Sequence, residues 1–283
     1  MAINYDHLMS LKSTGQEFSY GDRETMLYAL GVGFGRDPMD EKELSFVYEK
    51  NLKTVPTMAT VVAWGAGPIA DSGINYMMVV HGEQKLTLHR PLPVAAQITA
   101  DSRVIGAWDK GEGKGAIIVT ETVISEKGKD KLCTLESTIF ARGDGGFCGP
   151  REGAPQPHQI PDRAPDRTIE AETKPDQALL YRLSGDRNPL HADPEFAKAV
   201  GFDKPILHGL CTYGTCCRAI ISQVCDYDAT RITGFDVRFS APVIPGDKIA
   251  IDLWKDGNVL SFRARVPARD AVVINNGKCT LSD

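Results

Sequence analysis

From His208 to Cys225 the chain carries one charged residue, Arg218, in eighteen positions, and the rest are mostly small or apolar. A helix with almost no polar face must be buried on most of its sides, as happens when a curved sheet wraps around it. That requirement restricts the fold to a few arrangements, and it directs attention to the start of the helix, Pro205-Ile206-Leu207-His208-Gly209-Leu210-Cys211-Thr212. The first N–H groups of a helix have no internal partner and sit at the positive end of its dipole. The amide of Gly209 or Leu210 can therefore receive a developing oxyanion, and Gly209 has no side chain to block the approach. Alone, such a start is a tightly packed helix end. It gains chemical meaning beside a second signal.

That signal is Ser184-Gly185-Asp186-Arg187-Asn188-Pro189-Leu190-His191. Gly185 can take a positive φ, and the Asp186 carboxylate can bond nearby backbone N–H groups. Pro189 fixes its own φ and pushes Asn188 toward extended geometry, so the segment turns and does not continue as a helix. His191 is thereby carried round toward Asp186. A carboxylate and an imidazole that converge can hold one water, take a proton from it and return a proton elsewhere. The bland alternative is a capping Asp followed by a surface His.

Between the two signals, Asp193-Pro194-Glu195 reads as an N-cap, a proline at the first helical position and an acidic first turn, with Gly201 as the C-cap of a helix over 194–200. The order of elements repeats: Met26–Leu30 resembles Leu179–Leu183, and Leu86–Pro91 stands at nearly the same offset as Val237–Pro242. This pattern predicts a duplicated unit in which Gly33 occupies the place of Asp186 and Pro38 that of His191, so chemistry belongs to the C-terminal copy. Gly and Pro crowd the stretch from Gly143 to Glu170, which reads as a linker between residues 1–142 and 171–283. Strands are expected at Ala116–Ile124, Leu132–Ala141, Gly234–Ser240, Lys248–Trp254, Val259–Val266 and Val272–Leu281, with Asp256-Gly257 as a hairpin turn. Each half is then an antiparallel sheet carrying one long helix, and the class is α+β.

At 283 residues and 42% hydrophobic content the chain can bury a substantial core. No basic-then-apolar leader and no span-length apolar run appears, so a cytoplasmic location and no membrane association are expected. The seven cysteines show no CxxC or Cys/His ligand spacing, and four of them (Cys211, Cys216, Cys217, Cys225) fall on the buried helix, which predicts reduced core thiols and no metal. A net charge of −5 argues against nucleic acid. Between Arg231 and Arg269, however, seven Lys or Arg face four Asp. This stretch reads either as solvated strand faces or as a landing surface for a phosphorylated carrier, with Arg231, Arg238 and Arg263 as its candidate contacts.

Tyr181-Arg182-Leu183-Ser184-Gly185-Asp186-Arg187-Asn188-Pro189-Leu190-His191, Ile206–Thr212 and Val237–Asp247 together resemble the signature of the type 2, (R)-specific enoyl-CoA hydratases of the MaoC-like hot-dog superfamily. Tyr28–Gly33, His81-Gly82-Glu83-Gln84 and Pro91-Leu92-Pro93 are similar to the hydratase region of peroxisomal multifunctional enzyme type 2. The resemblance implies a double hot-dog, two antiparallel sheets each wrapping a central helix, with the N-terminal helix open to reduction. It also implies that Asp186 and His191 hold a water that adds across a trans-2-enoyl-CoA to give a (3R)-3-hydroxyacyl-CoA. Asn188 would help fix that pair, Gly209 would supply the oxyanion N–H with Leu210 beside it, and no cofactor is required. His81 and Gly82 would border the substrate.

His208 reads as a helix-start packing residue, and His7, His89 and His158 as structural or exposed. The small and apolar residues between Met58 and Ile74 are expected to accommodate the acyl tail. The end Leu281-Ser282-Asp283 differs from the Ser-Lys-Leu peroxisomal address. Sheet edges in this fold suggest a homodimer. Two other readings remain open: a dehydratase of acyl-carrier-protein substrates, and a hot-dog thioesterase or acyl-binding protein.

Overall fold

The computed structural model describes residues 3–282; Met1, Ala2 and Asp283, the last of which completes the C-terminal address comparison, lie outside them. Ten strands form one antiparallel sheet: β1 Lys12–Tyr20, β2 Val79–Leu88, β3 Ala96–Asp109, β4 Ala116–Glu126, β5 Lys131–Ala141, β6 Arg167–Glu172, β7 Ile232–Phe239, β8 Lys248–Asp256, β9 Val259–Val266 and β10 Ala271–Leu281. Their order across the sheet is β1-β3-β4-β5-β2-β7-β10-β9-β8-β6. Taken inwards from each edge, the two halves have the same order, so β6 stands for β1, β8 for β3, β9 for β4, β10 for β5 and β7 for β2. The halves meet through β2 and β7, with Glu83 opposite Arg238, Gln84 opposite Val237 and Thr87 opposite Gly234. The inner edge of each half is therefore capped by the other half.

The helices are α1 Tyr5–Ser10, α2 Asp22–Gly31, α3 Glu41–Leu44, α4 Gln177–Tyr181, α5 Pro194–Ala199 and α6 Gly209–Gln223. Helix α6 is the stretch whose one charged residue is Arg218, and its residues from Leu210 to Ile221 are all buried. The Tyr213 hydroxyl pins it to the sheet by donating to the Phe235 carbonyl at 2.7 Å. Gly214 permits close approach of the N-terminal half, since a Cβ there would stand 2.4 Å from Val32 Cγ1 and 2.8 Å from the Tyr28 hydroxyl. Helix α5 starts as its residues dictate: the Asp193 carboxylate accepts from the N–H groups of Glu195 and Phe196, and Gly201 follows its end with φ +92°.

The expectation of one long helix per half holds in the C-terminal half only. The matching N-terminal stretch forms a 3₁₀ turn at Pro56–Thr60 and further turns to Gly65. Met58, Ala59, Val61, Val62 and Ala66 are buried there, while Pro56, Gly65, Gly67 and Pro68 punctuate the segment and deny it a continuous helix. The linker is also shorter than expected. Residues 167–170 belong to β6, where Ile169 and Ala171 point inward and Thr168 and Glu170 outward, paired in register with β8, while Arg167 reaches Gln223 at the end of α6. The remaining Gly/Pro stretch is strapped to the sheet, with the Asp109 carboxylate accepting from the N–H groups of Gly146 and Cys148 at 2.8 Å and Trp254 Nε1 donating to the Arg163 carbonyl at 2.8 Å.

Candidate active site

The Asp186 loop is built by local chemistry. Gly185 has φ +143°, and a Cβ at this position would stand 2.9 Å from Trp64 Cγ. The Asp186 carboxylate accepts from the Asn188 N–H at 3.0 Å, and the Asn188 side chain accepts from the Leu190 N–H at 3.0 Å. That second bond caps the 3₁₀ turn Pro189–His191, so Asn188 touches both ends of the loop. His191 is 8% exposed, and its Nδ1 lies 2.9 Å from the Ile206 carbonyl oxygen. A carbonyl only accepts, so this contact places the proton on Nδ1 and leaves the Nε2 lone pair available.

His208, the residue before α6, stacks on His191 with ring centres 3.7 Å apart and planes 27° apart. Its Nε2 lies 3.1 Å from the Asp186 carbonyl oxygen and donates to it, while Nδ1 is buried without a partner. One ligand atom from each of Asp186, His191 and His208 falls within 4.8 Å of the others. Two imidazoles and a carboxylate are also a possible metal donor set, but ring nitrogens ligate in the plane of the ring. Stacked rings tilted by only 27° have planes that meet well beyond the ~2 Å reach of a metal–nitrogen bond. The ring geometry does not suit a cation shared between the two imidazoles.

Electrostatics favour neutral imidazoles. Burial lowers the pKa of His191, against the opposing pull of the Ile206 carbonyl bond and the Asp186 charge. Burial, with the His191 ring next, pushes His208 down to about 4. Burial likewise pushes His81 down to about 4, with the Asp186 charge opposing, which marks His81 as a neighbour of this site. The His81 ring centre lies 4.9 Å from that of Phe239, and a Cβ on Gly209 would meet the same Phe239 ring at 3.3 Å. Phe239 thus links His81 on β2 to the start of α6. Leu210 follows Gly209 and is 8% exposed. Gly82 marks a register shift between β2 and β5, where a Cβ would press on the Thr138 carbonyl at 3.3 Å.

The basic stretch does not form one surface. Arg263 lies over the Trp254 ring at 5.5 Å and, with Arg265, bonds the Asp252 carboxylate. Both arginines alternate with the inward-facing Phe262, Ala264 and Val266, so they occupy the sheet face opposite α6. Arg269 bonds Asp247 at 2.6 Å. Arg231 precedes β7 at the end remote from Phe239, beside a cavity of about 270 Å³ lined by Leu52, Pro56, Leu88, Leu92 and Ile232. Arg238 is exposed on β7 opposite Glu83. The cation that acts on the site electrostatically is Arg182, whose charge lowers the pKa values of both His191 and His208. Sequence reasoning gave no individual role to Arg182 or Phe239, although both stand inside the quoted motifs, and it covered Trp64 only as part of the segment between Met58 and Ile74 expected to accommodate the acyl tail.

The N-terminal copy differs at the matching position. A Cβ on Gly33 would meet guanidinium nitrogens of Arg36 and Arg218 at 3.1–3.4 Å, and Arg218 pairs with Glu43 at 3.6 Å. The Arg218–Glu43 ion pair thus lies beside Gly33, which carries no side chain of its own.

Family models match in both halves: an MFE-2 hydratase 2 N-terminal domain over residues 18–143 and a MaoC-like domain over residues 156–276. The chain is 40% identical to the enoyl-CoA hydratase ChsH3 of Mycobacterium tuberculosis, covering 98% of each protein. It is 41% identical to the 3-hydroxyacyl-thioester dehydratase Y of the same organism, covering 92% of each. The solved MaoC-like dehydratase of Phytophthora capsici superposes with a TM-score of 0.88 at 33% identity, covering 99% of this chain and 98% of that one. A Mycobacterium tuberculosis protein described as a double hot-dog shares the fold at a TM-score of 0.55 and 13% identity, covering 99% of this chain and 98% of that one. With both domain models in order and full-length relatives at this identity, the chain belongs to the MaoC-like hydratase 2 family.

Proposed function

We propose that the chain adds water across the double bond of a trans-2-enoyl-CoA to give the (3R)-3-hydroxyacyl-CoA. The observation that carries this reading is the convergence of Asp186 and His191 at the N-terminus of α6. A water bonded to the carboxylate and to His191 Nε2 loses a proton as its oxygen attacks C3. Negative charge then moves through the former double bond onto the thioester oxygen, where the Gly209 N–H and the helix dipole receive it. A proton returned from the pair to C2 completes the addition. One O–H bond and the C2–C3 π bond break, one C–O and one C–H bond form, and there is no net oxidation or reduction. The N-terminal half contributes His81 to the site and no second catalytic pair.

Run backwards, the same steps dehydrate a 3-hydroxyacyl thioester. A carrier protein as substrate would need an exposed basic docking face, whereas Arg263, Arg265 and Arg269 already hold acidic partners. That pairing favours the free coenzyme A thioester. The test is to incubate the protein with crotonyl-CoA and follow both the conjugated enoyl absorbance and free thiol. Loss of absorbance without thiol release, abolished by Asp186→Asn, is expected. Thiol release would make the protein a thioesterase, and no change on any enoyl-CoA would overturn the reading.

A further inference from the structure

Two guanidinium groups that the hydration chemistry does not use meet in the N-terminal half. Arg36 lies in the loop after α2, and Arg218 reaches across from α6. Their nitrogens converge over Gly33, where a Cβ would stand 3.1 Å from Arg36 Nη2, 3.3 Å from Arg36 Nε and 3.4 Å from Arg218 Nε. Arg218 is 9% exposed, and burial first, then the charge of Arg36, lowers its pKa. The Nε–H groups of both arginines are buried with no hydrogen-bond partner among the described residues. A buried donor without a partner is costly, and more so on a charged group.

The carboxylates nearby do not balance the two cations. Glu43 on α3 is buried, with one oxygen 3.6 Å from Arg218 Nη1 and the other accepting from the Arg36 backbone N–H at 3.0 Å. Glu172 accepts from Arg36 Nη2 through its backbone carbonyl, but its carboxylate stands 4.0 Å from Arg36 Nη1, lies 3.0 Å from Lys248 Nζ and is 56% exposed. Asp40 is committed to the N–H groups of Lys42 and Glu43 and to the Tyr227 hydroxyl. One buried carboxylate therefore serves two guanidiniums, and two charged donors point at no acceptor. We propose that Arg36 and Arg218 form a site for one small monovalent anion of chloride size, which accepts from both Nε–H groups and ties α6 to the N-terminal half. A single charge balances the excess, and a single acceptor atom serves two donors that converge on one point. A sulfate or phosphate would bring a second charge and further oxygens to be satisfied there.

Because the anion binds the folded chain, it must raise stability in a saturable way. Thermal unfolding of the full chain is followed as chloride replaces methanesulfonate at constant ionic strength, which holds general screening fixed. The unfolding midpoint should rise by about 2–4 °C and level off, and bromide should act alike. Two variants should move the response in opposite directions. Arg36→Gln removes one cation and should abolish it, whereas Glu43→Gln removes the competing carboxylate and should bring the half-effect to about ten-fold lower chloride. Crystals of the wild-type protein soaked in bromide give a second readout that depends on no variant folding well. An anomalous peak is expected between the guanidiniums of Arg36 and Arg218. A peak without any saturable midpoint response would mean an adventitious ion only and would overturn the proposal. Equal midpoints in the two salts and no peak would overturn it as well, leaving water to serve the two donors. A response that survives Arg36→Gln, or one with no bromide at the two guanidiniums, would place the anion elsewhere and contradict it too.

Discussion

His208 stacks on His191 with ring centres 3.7 Å apart, and its Nε2 donates to the carbonyl of Asp186, so one imidazole holds both members of the reacting pair. Stacked against a neighbour and buried, neither ring takes up a proton easily. Both histidines are displaced downward from their ordinary pKa by burial first, and for His208 the neighbouring ring adds to it.

The pH dependence follows. His191 must be neutral to accept a proton from water, and its pKa is lowered, so the active form persists below the usual histidine value of about 6.5. The acid limb of kcat/KM should have its midpoint below 6.5; a midpoint at or above that value contradicts the account. Stability has the same sign. Groups with depressed pKa stabilise the fold above their unfolded value and lose that contribution as pH falls, so unfolding free energy should decline between about pH 6.5 and 4.

Asp186→Asn and His191→Asn should each lower kcat by roughly 10²–10⁴, with little change in unfolding midpoint for Asp186→Asn, which keeps the shape of the side chain, and a lower midpoint for His191→Asn, which loses the stack on His208. The double variant should lose about as much as the worse single one, because either loss already disables the shared water. Multiplicative losses in steady-state kinetics would show that the two residues act separately.

Much of this site was legible because its geometry is local. Gly185, Asp186, Asn188 and Pro189 determine the loop by turn chemistry within eight residues, and the run after His208, with one charge in it, specified a wrapped helix. The duplication was readable from the order of weak matches, and the strand order repeats it. What could not be read depends on packing between distant segments. Trp64 reaches Gly185 across 121 positions, Phe239 meets His81 from another strand, and the pairing of Arg263 and Arg265 with Asp252 depends on the register of β8 and β9. A run of cations in sequence says nothing about which face of a sheet each side chain takes. Nor could composition show that turns of Met58, Ala59, Val61 and Val62 would stand in for a helix.

Gly209 offers a steric test of the oxyanion N–H. Its missing Cβ would meet the Phe239 ring at 3.3 Å, so Gly209→Ala requires the ring to give way by a few tenths of an ångström. We expect a loss of about ten-fold in kcat with an unfolding midpoint close to wild type, partly restored when Phe239→Leu is added. A Gly209→Ala variant with full activity would place the oxyanion elsewhere.

Asp236, on β7 beside the joint between the halves, is pushed up to about 6, by burial first, although the Leu86 N–H donates to it at 3.4 Å. A carboxyl with a raised pKa costs stability once it ionises, and that cost grows as pH rises from about 4 through 6. Asp236→Asn should therefore stabilise the protein by about 1–3 kcal/mol at pH 8 and by less at pH 5. Urea unfolding at the two values decides it; an equal or opposite effect would mean that the carboxylate is well solvated.

The central claim is that one face of C3 receives water from Asp186 and His191 while the thioester is held at Gly209. The most direct measurement couples hydration of crotonyl-CoA separately to a (3R)-specific and a (3S)-specific 3-hydroxyacyl-CoA dehydrogenase. The account predicts signal with the (3R)-specific enzyme only, lost in Asp186→Asn. A dominant (3S) product, or hydration that survives the loss of Asp186, would contradict it.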